Sequence, residues 1–253
     1  MKKFLKMIIK MLFFAFMGIC FFIIASYFLH KYIINTNFDK EQFLSKGYTQ
    51  DEIELFSDIG FLHGRIRKWE TDIKVEIIDI EKLSKKDIED VDSIIIIIEP
   101  LIFPIKIYRV LKEGNLKVYR KVEKIYKCNF FNITEPGGTA MLNPHKILDI
   151  RKLSITTAKI YEKNYSSGTK TLLHEFLHAI GLWHASRPYN FHIAMATRES
   201  PNIFYSLEEL DEHHDIEFFI SEQEKQVIRM IYSSGVKSGL KRKTFMKEMG
   251  LKF

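Results

Sequence analysis

His174-Glu175-Phe176-Leu177-His178-Ala179-Ile180-Gly181-Leu182-Trp183-His184 is the stretch on which the reading of this chain turns. It sits in a segment rich in Leu, Phe and Ile, and Thr169 or Thr171 ahead of it can cap a helix. Residues four apart on a helix share one face, so His174 and His178 can aim ring nitrogens at one ion. Two helical histidines with a glutamate beside the first form a zinc-hydrolase signature. Gly181 can end the helix in a left-handed conformation at little steric cost, and the returning chain then brings in His184 as a third ligand. Three neutral imidazoles suit Zn2+, which in a catalytic site keeps one position for water. Glu175 is not needed as a ligand and is placed to take that water's proton. Three histidines and a glutamate would be costly to bury in so apolar a segment without metal or partners. Coincidence is also a poor account. With nine His in 253 residues, the whole pattern arises by chance in roughly a few cases in 10⁵.

The segment resembles the metzincin motif His-Glu-x-x-His-x-x-Gly-x-x-His. Pro136-Gly137-Gly138-Thr139-Ala140, with Pro144 beyond, is similar to the Gly-Gly loop of the matrixin-type members of that clan, and residues 221–232 are similar to their closing helix. The resemblance covers about residues 61–235. It implies an α+β zincin domain with a mixed β-sheet and an active-site helix. It also implies Zn2+ on His174, His178 and His184, Glu175 as general base, and a Met-turn beneath the metal. Met195, eleven residues past His184 in His192-Ile193-Ala194-Met195-Ala196-Thr197, is the Met-turn residue on this reading. Its role is packing rather than ligation. Thr197 stands where some clan members carry a tyrosine ligand, and Ala185 where astacins carry an acid. Cys128 is not in a cysteine-switch motif.

The charge pattern excludes a basic nucleic-acid-binding core. The net charge is +6, and residues 1–10 and 236–253 together carry +9, which leaves −3 for residues 11–235. Cys20 and Cys128 lie far apart in the chain, so no disulfide framework is expected. Residues 11–29 hold no charge and follow four lysines. That length and bias predict a transmembrane signal anchor with the N-terminus inside, or alternatively a cleaved signal peptide. The corresponding localisation is a membrane-anchored domain outside the cytoplasm, or a secreted one.

Further along, residues 32–60 read as a stalk entering a short helix at 49–56, with Thr49 and Glu52 as its capping box. Ile73, Val75 and Ile77 alternate with charges, the period of a half-buried strand. Ser84-Lys85-Lys86-Asp87 looks like a helix start, yet the five isoleucines at 94–98 also suit a buried strand, so both remain open. Residues 105–131 contain two or three strand-like runs, with a turn at Glu113-Gly114-Asn115. Residues 153–161 form another strand, which is the expected partner for an extended substrate. Ser221-Glu222-Gln223-Glu224 opens a final helix as a capping box.

The expected organisation is an N-terminal anchor or signal peptide at 1–31, a stalk at 32–60, a catalytic domain at 61–235 and a basic tail at 236–253. The expected activity is zinc-dependent hydrolysis of peptide bonds in a protein or peptide substrate, by a monomer that binds the membrane through its first helix and no nucleic acid. The alternative is a non-catalytic membrane-anchored scaffold that keeps a structural zinc, although such a site has no use for Glu175. Other candidates have plain readings. Residues 211–215 read as a solvated acidic loop rather than a second metal site, and His192 as a loop residue. Residues 198–204 would shape the pocket after the cut. The basic tail reads as a frayed solvated end, or, with Leu240, Phe245 and Met246, as a contact to an anionic membrane.

Overall fold

The apolar-charged alternation at 73–77 forms strand β1 (Ile73–Ile77), whose odd positions are buried. A computed structural model describes residues 2–35, 38–123, 132–134, 138–142, 154–163, 169–187, 189, 194–195 and 220–252. In chain order the helices are α1 (Lys2–Asn35), α2 (Lys40–Leu44), α3 (Gln50–Ile59), α4 (Lys85–Ile98), α5 (Thr169–Ala179), α6 (Glu222–Tyr232) and α7 (Arg242–Met249). The other strands are β2 (Ile107–Val110), β3 (Leu116–Val122), β4 (Asn132–Thr134), β5 (Gly138–Leu142) and β6 (Ala158–Lys163).

The isoleucine run is helical. Ser84 and Asp87 cap each other's backbone amides, and the buried positions Val91, Ile94, Ile95 and Ile98 recur at helical spacing. Ile96, in the middle of the run, is 70% exposed. Cap and periodicity therefore outweigh the sheet preference of β-branched side chains.

The sheet is mixed, with order β2-β1-β3-β6-β5-β4. β1 pairs parallel with β2 and β3, β3 pairs parallel with β6, and β5 runs antiparallel to both β6 and β4. Gly114, in the turn between β2 and β3, packs directly on β1. A Cβ there would lie 2.4 Å from that of Glu76, so no other residue fits. α5 packs on β5 and β6, which places the histidine motif against the antiparallel side of the sheet.

Several sequence expectations fail. No helix among the described residues is long and apolar enough to cross a membrane. This overturns the N-terminal transmembrane helix and the membrane-anchored placement that rested on it. The uncharged run at 11–29 lies within α1 (Lys2–Asn35). The strand at 153–161 is not a free partner for substrate, because β6 already has β3 on one edge and β5 on the other.

The segment read as a stalk and the segment read as a tail both enter the core. Phe43 and Phe56 from the first pack their rings on Phe245 from the second, at centroid distances of 5.5 and 4.9 Å. Leu55, Ile59, Val236 and Leu240 are buried with them. Cys128, His192, and residues 198–204 and 211–215 lie outside what the structure describes.

Candidate metal centre

α5 buries Leu172, Leu173, Phe176 and Leu177 in the core and carries His174, Glu175 and His178 along with them. The helix then stops as the sequence predicts. Gly181 has φ +112°, and a Cβ there would stand 1.9 Å from the Arg67 carbonyl oxygen. The Leu182 amide donates to the Leu177 carbonyl and the Gly181 amide to the His178 carbonyl, both at 3.0 Å. This is the paired bonding of a Schellman motif. The Trp183 amide then donates to the Ile59 carbonyl at 2.6 Å, fastening the returning chain to α3.

That return brings the three histidines together. Nε2 of His178 lies 3.1 Å from Nε2 of His174 and 2.9 Å from Nε2 of His184, and the His174–His184 separation is 3.2 Å. The far side of two rings explains their protonation. Nδ1 of His174 faces the Ala194 carbonyl at 2.8 Å, and Nδ1 of His178 faces the Leu182 carbonyl at 3.0 Å. A carbonyl only accepts, so each Nδ1 carries a proton, and each ring in its neutral form presents a bare lone pair at Nε2. Burial, then the neighbouring His174 and His184, push the His178 pKa well below its ordinary value, so this ring stays neutral.

Converging lone pairs repel unless a cation stands among them. Nitrogens about 2.0–2.1 Å from a tetrahedral ion would stand about 3.3 Å apart, close to the observed spacing. The three histidines are therefore near enough to hold one metal ion, and the donor set fits.

Glu175 is fully buried one residue from His174 and three from His178. Met195 is fully buried in a turn with Ala194. That turn is tied to the site at three points. The Ala194 carbonyl accepts from His174, the Met195 carbonyl accepts from the Ala185 amide at 2.9 Å, and the Met195 amide donates to Glu224 at 3.0 Å. Sequence reading identified Glu224 only as a helix cap. It does cap α6, where Oε2 accepts from the Ser221 amide at 3.1 Å, but its other oxygen holds the Met195 turn. Burial pushes the Glu224 carboxyl up to about 7, against the pull of the Ala194, Met195 and Ser221 amides.

Asp58 was likewise missed. It is buried on α3 and accepts from the Ser186 amide and the Tyr189 hydroxyl, both at 3.0 Å, so it anchors the chain just past His184. No sequence signal links it to residues so far downstream.

These contacts separate packing from positioning. Met195→Leu nearly conserves volume, so it should cost less than about 1.5 kcal/mol and leave metal affinity intact. Glu224→Ala frees the turn whose Ala194 carbonyl orients His174, and loss of such an outer partner typically lowers metal affinity about 10–100-fold. Metal titration of both variants in one buffer checks this; equal affinities would remove Glu224 from the support of His174.

No family model and no curated protein matches the chain.

Proposed function

We propose that this chain is a zinc-dependent endopeptidase. The observation that carries the reading is the convergence of three Nε2 atoms within 3.2 Å of one another, with Glu175 buried beside them. The mixed sheet, the helix that carries the motif and the buried Met195 turn support it, as does the resemblance of residues 174–184 to the metzincin motif.

A zinc ion held by His174, His178 and His184 would supply Lewis-acid polarisation of the scissile carbonyl and acidify a water. Glu175 takes a proton from the attacking water on a carboxylate oxygen as the new C–O bond forms. It then delivers that proton to the departing amide nitrogen as the C–N bond breaks. The carbonyls of Ala194 and Leu182 keep both Nδ1 protons in place, so the ligand nitrogens stay directed inward. With both edges of β6 occupied, an extended substrate is better placed along the outer edge of β4, the sheet edge on the α5 side.

The purified chain should carry about one equivalent of zinc. Casein or a peptide library should be cleaved, the activity should vanish with a chelator, and added zinc should restore it. A folded chain that cleaves peptides with no zinc present overturns the reading. So does a zinc-loaded chain that cleaves none, which would leave a structural metal site.

A further inference from the structure

A cavity of about 800 Å³ lies between α3, α7 and the chain just past His184. Its wall is dominated by cations. Arg65, Arg187, Lys241, Arg242, Lys243 and Lys252 line it against only two acids, Glu54 and Asp58. Both acids are already engaged. Glu54 holds Arg187 at 2.8 Å, and Asp58 holds Ser186, Tyr189 and, at 3.5 Å, Arg242. Among the described residues no ion pair engages Arg65, Lys241, Lys243 or Lys252.

Two donors in this wall are buried and, among the described residues, lack an acceptor: Nη1 of Arg65 and Nε of Arg242. A buried donor left unmet is costly, so such groups normally meet a partner. In addition, Lys241 caps α7 without any side-chain bond, and no acid lies in that helix's first turn. Unmet guanidinium donors, surplus cations and an open helix start all call for an anion.

The cavity adjoins the histidine cluster. Ser186 and Arg187 follow His184 by two and three residues. The His63 ring, which also lines the cavity, lies 4.4 Å from Trp183, and Trp183 lies 5.3 Å from His184. His63 is thus within about 10 Å of His184, a span of about three extended residues.

We propose that this cavity is a subsite for acidic side chains of a polypeptide substrate, about three residues from the scissile bond. The inference rests on the endopeptidase reading above. The cavity is larger than one small anion needs. Arginine forks also match carboxylates in a two-pronged fashion. A nucleic acid would need an extended basic track, whereas these cations line one cavity of about 800 Å³.

The test uses the full chain and a fluorescently labelled peptide of six glutamates, with a six-lysine peptide as control. The acidic peptide should bind and the basic one should not. Lys243 and Lys252 are exposed, so the double variant Lys243→Glu/Lys252→Glu should fold normally and bind the acidic peptide about tenfold more weakly. Arg65→Gln should weaken binding by a similar factor. Unchanged affinity in both variants overturns the proposal. So does displacement by inorganic phosphate at the peptide's own concentration, or much tighter binding of single-stranded DNA.

The cleavage arm compares peptides with Glu or Gln at the third residue from the cut. Faster cleavage of the Glu peptide, lost in the double variant, supports the subsite. Equal cleavage of both sinks the subsite and leaves the endopeptidase standing. No cleavage of any peptide removes the endopeptidase itself, and the substrate role of the cavity with it.

Discussion

Glu175→Ala is expected to keep the metal and lower peptide hydrolysis by at least about 10²-fold, the usual loss with a general base. Glu175 is the carboxylate that the helix carries beside the ligands, one residue past His174 and three before His178. It is fully buried, where a charge acts through a low dielectric and water cannot easily substitute for it. Metal retention follows from the ligand geometry. The three Nε2 atoms are held by the helix, by the Gly181 turn and by the carbonyls of Ala194 and Leu182, and none of these uses the Glu175 side chain. Alanine also keeps the helix, since it is the best helix former. His184→Ala is the complementary variant. It removes one of three ligands and should lose both zinc and activity. Zinc content and kcat/KM of the two variants, measured side by side, separate the roles. Peptide hydrolysis by Glu175→Ala at the parent's rate would sink the mechanism.

The histidine cluster was legible because its geometry is local. His174 and His178 are one turn apart, Gly181 announces the helix end, and His184 follows within one short return. Helix starts at Thr49, Ser84 and Ser221 were legible for the same reason, since a capping box spans four residues. What failed was non-local. Alternation marks 153–161 as a strand but does not say which strands flank it. Phe43, Phe56 and Phe245 look like isolated aromatics in polar segments until α2, α3 and α7 meet. Glu224 reads as a cap because its second partner, Met195, lies 29 residues away. The uncharged run at 11–29 met a compositional rule for a membrane span, yet among the described residues no helix meets it.

Arg120→Met is expected to destabilise the fold by about 3–5 kcal/mol, the cost of breaking a buried ion pair from one side. Arg120 on β3 is 7% exposed and Glu162 on β6 is 2% exposed. Period two explains their place. Leu116, Val118 and Arg120 point to one face of β3, and Ala158, Ile160 and Glu162 to the matching face of β6. The parallel register sets Leu116 beside Ala158, Val118 beside Ile160 and Tyr119 beside Tyr161, and Arg120 and Glu162 follow next on the two strands, where the register begins to shift. Arg120 Nη2 donates to Glu162 Oε1 at 3.1 Å while Nε donates to the other oxygen, a fork that fixes the geometry. Nη1 reaches α4, where it donates to the Asp87 carbonyl and to Asp90 at 3.1 Å. One guanidinium therefore ties α4 to the centre of the sheet, and the variant leaves the Glu162 carboxylate in place without those two bonds. The double variant Arg120→Met/Glu162→Leu removes both charges and should recover most of the loss, because a buried pair is often matched by apolar residues of similar volume. Asp87 gives an independent check through pH. Burial pushes its carboxyl up, but Lys121, Ser84 and the Arg120 guanidinium pull it down to about 2. A carboxyl with a depressed folded-state pKa stabilises the fold above its unfolded value, and that stability is lost as pH falls from about 4 toward 2. Denaturant midpoints of parent, single and double variants at pH 7 and pH 3 settle the matter. A single variant as stable as the parent at pH 7 would show that the network adds nothing to the fold.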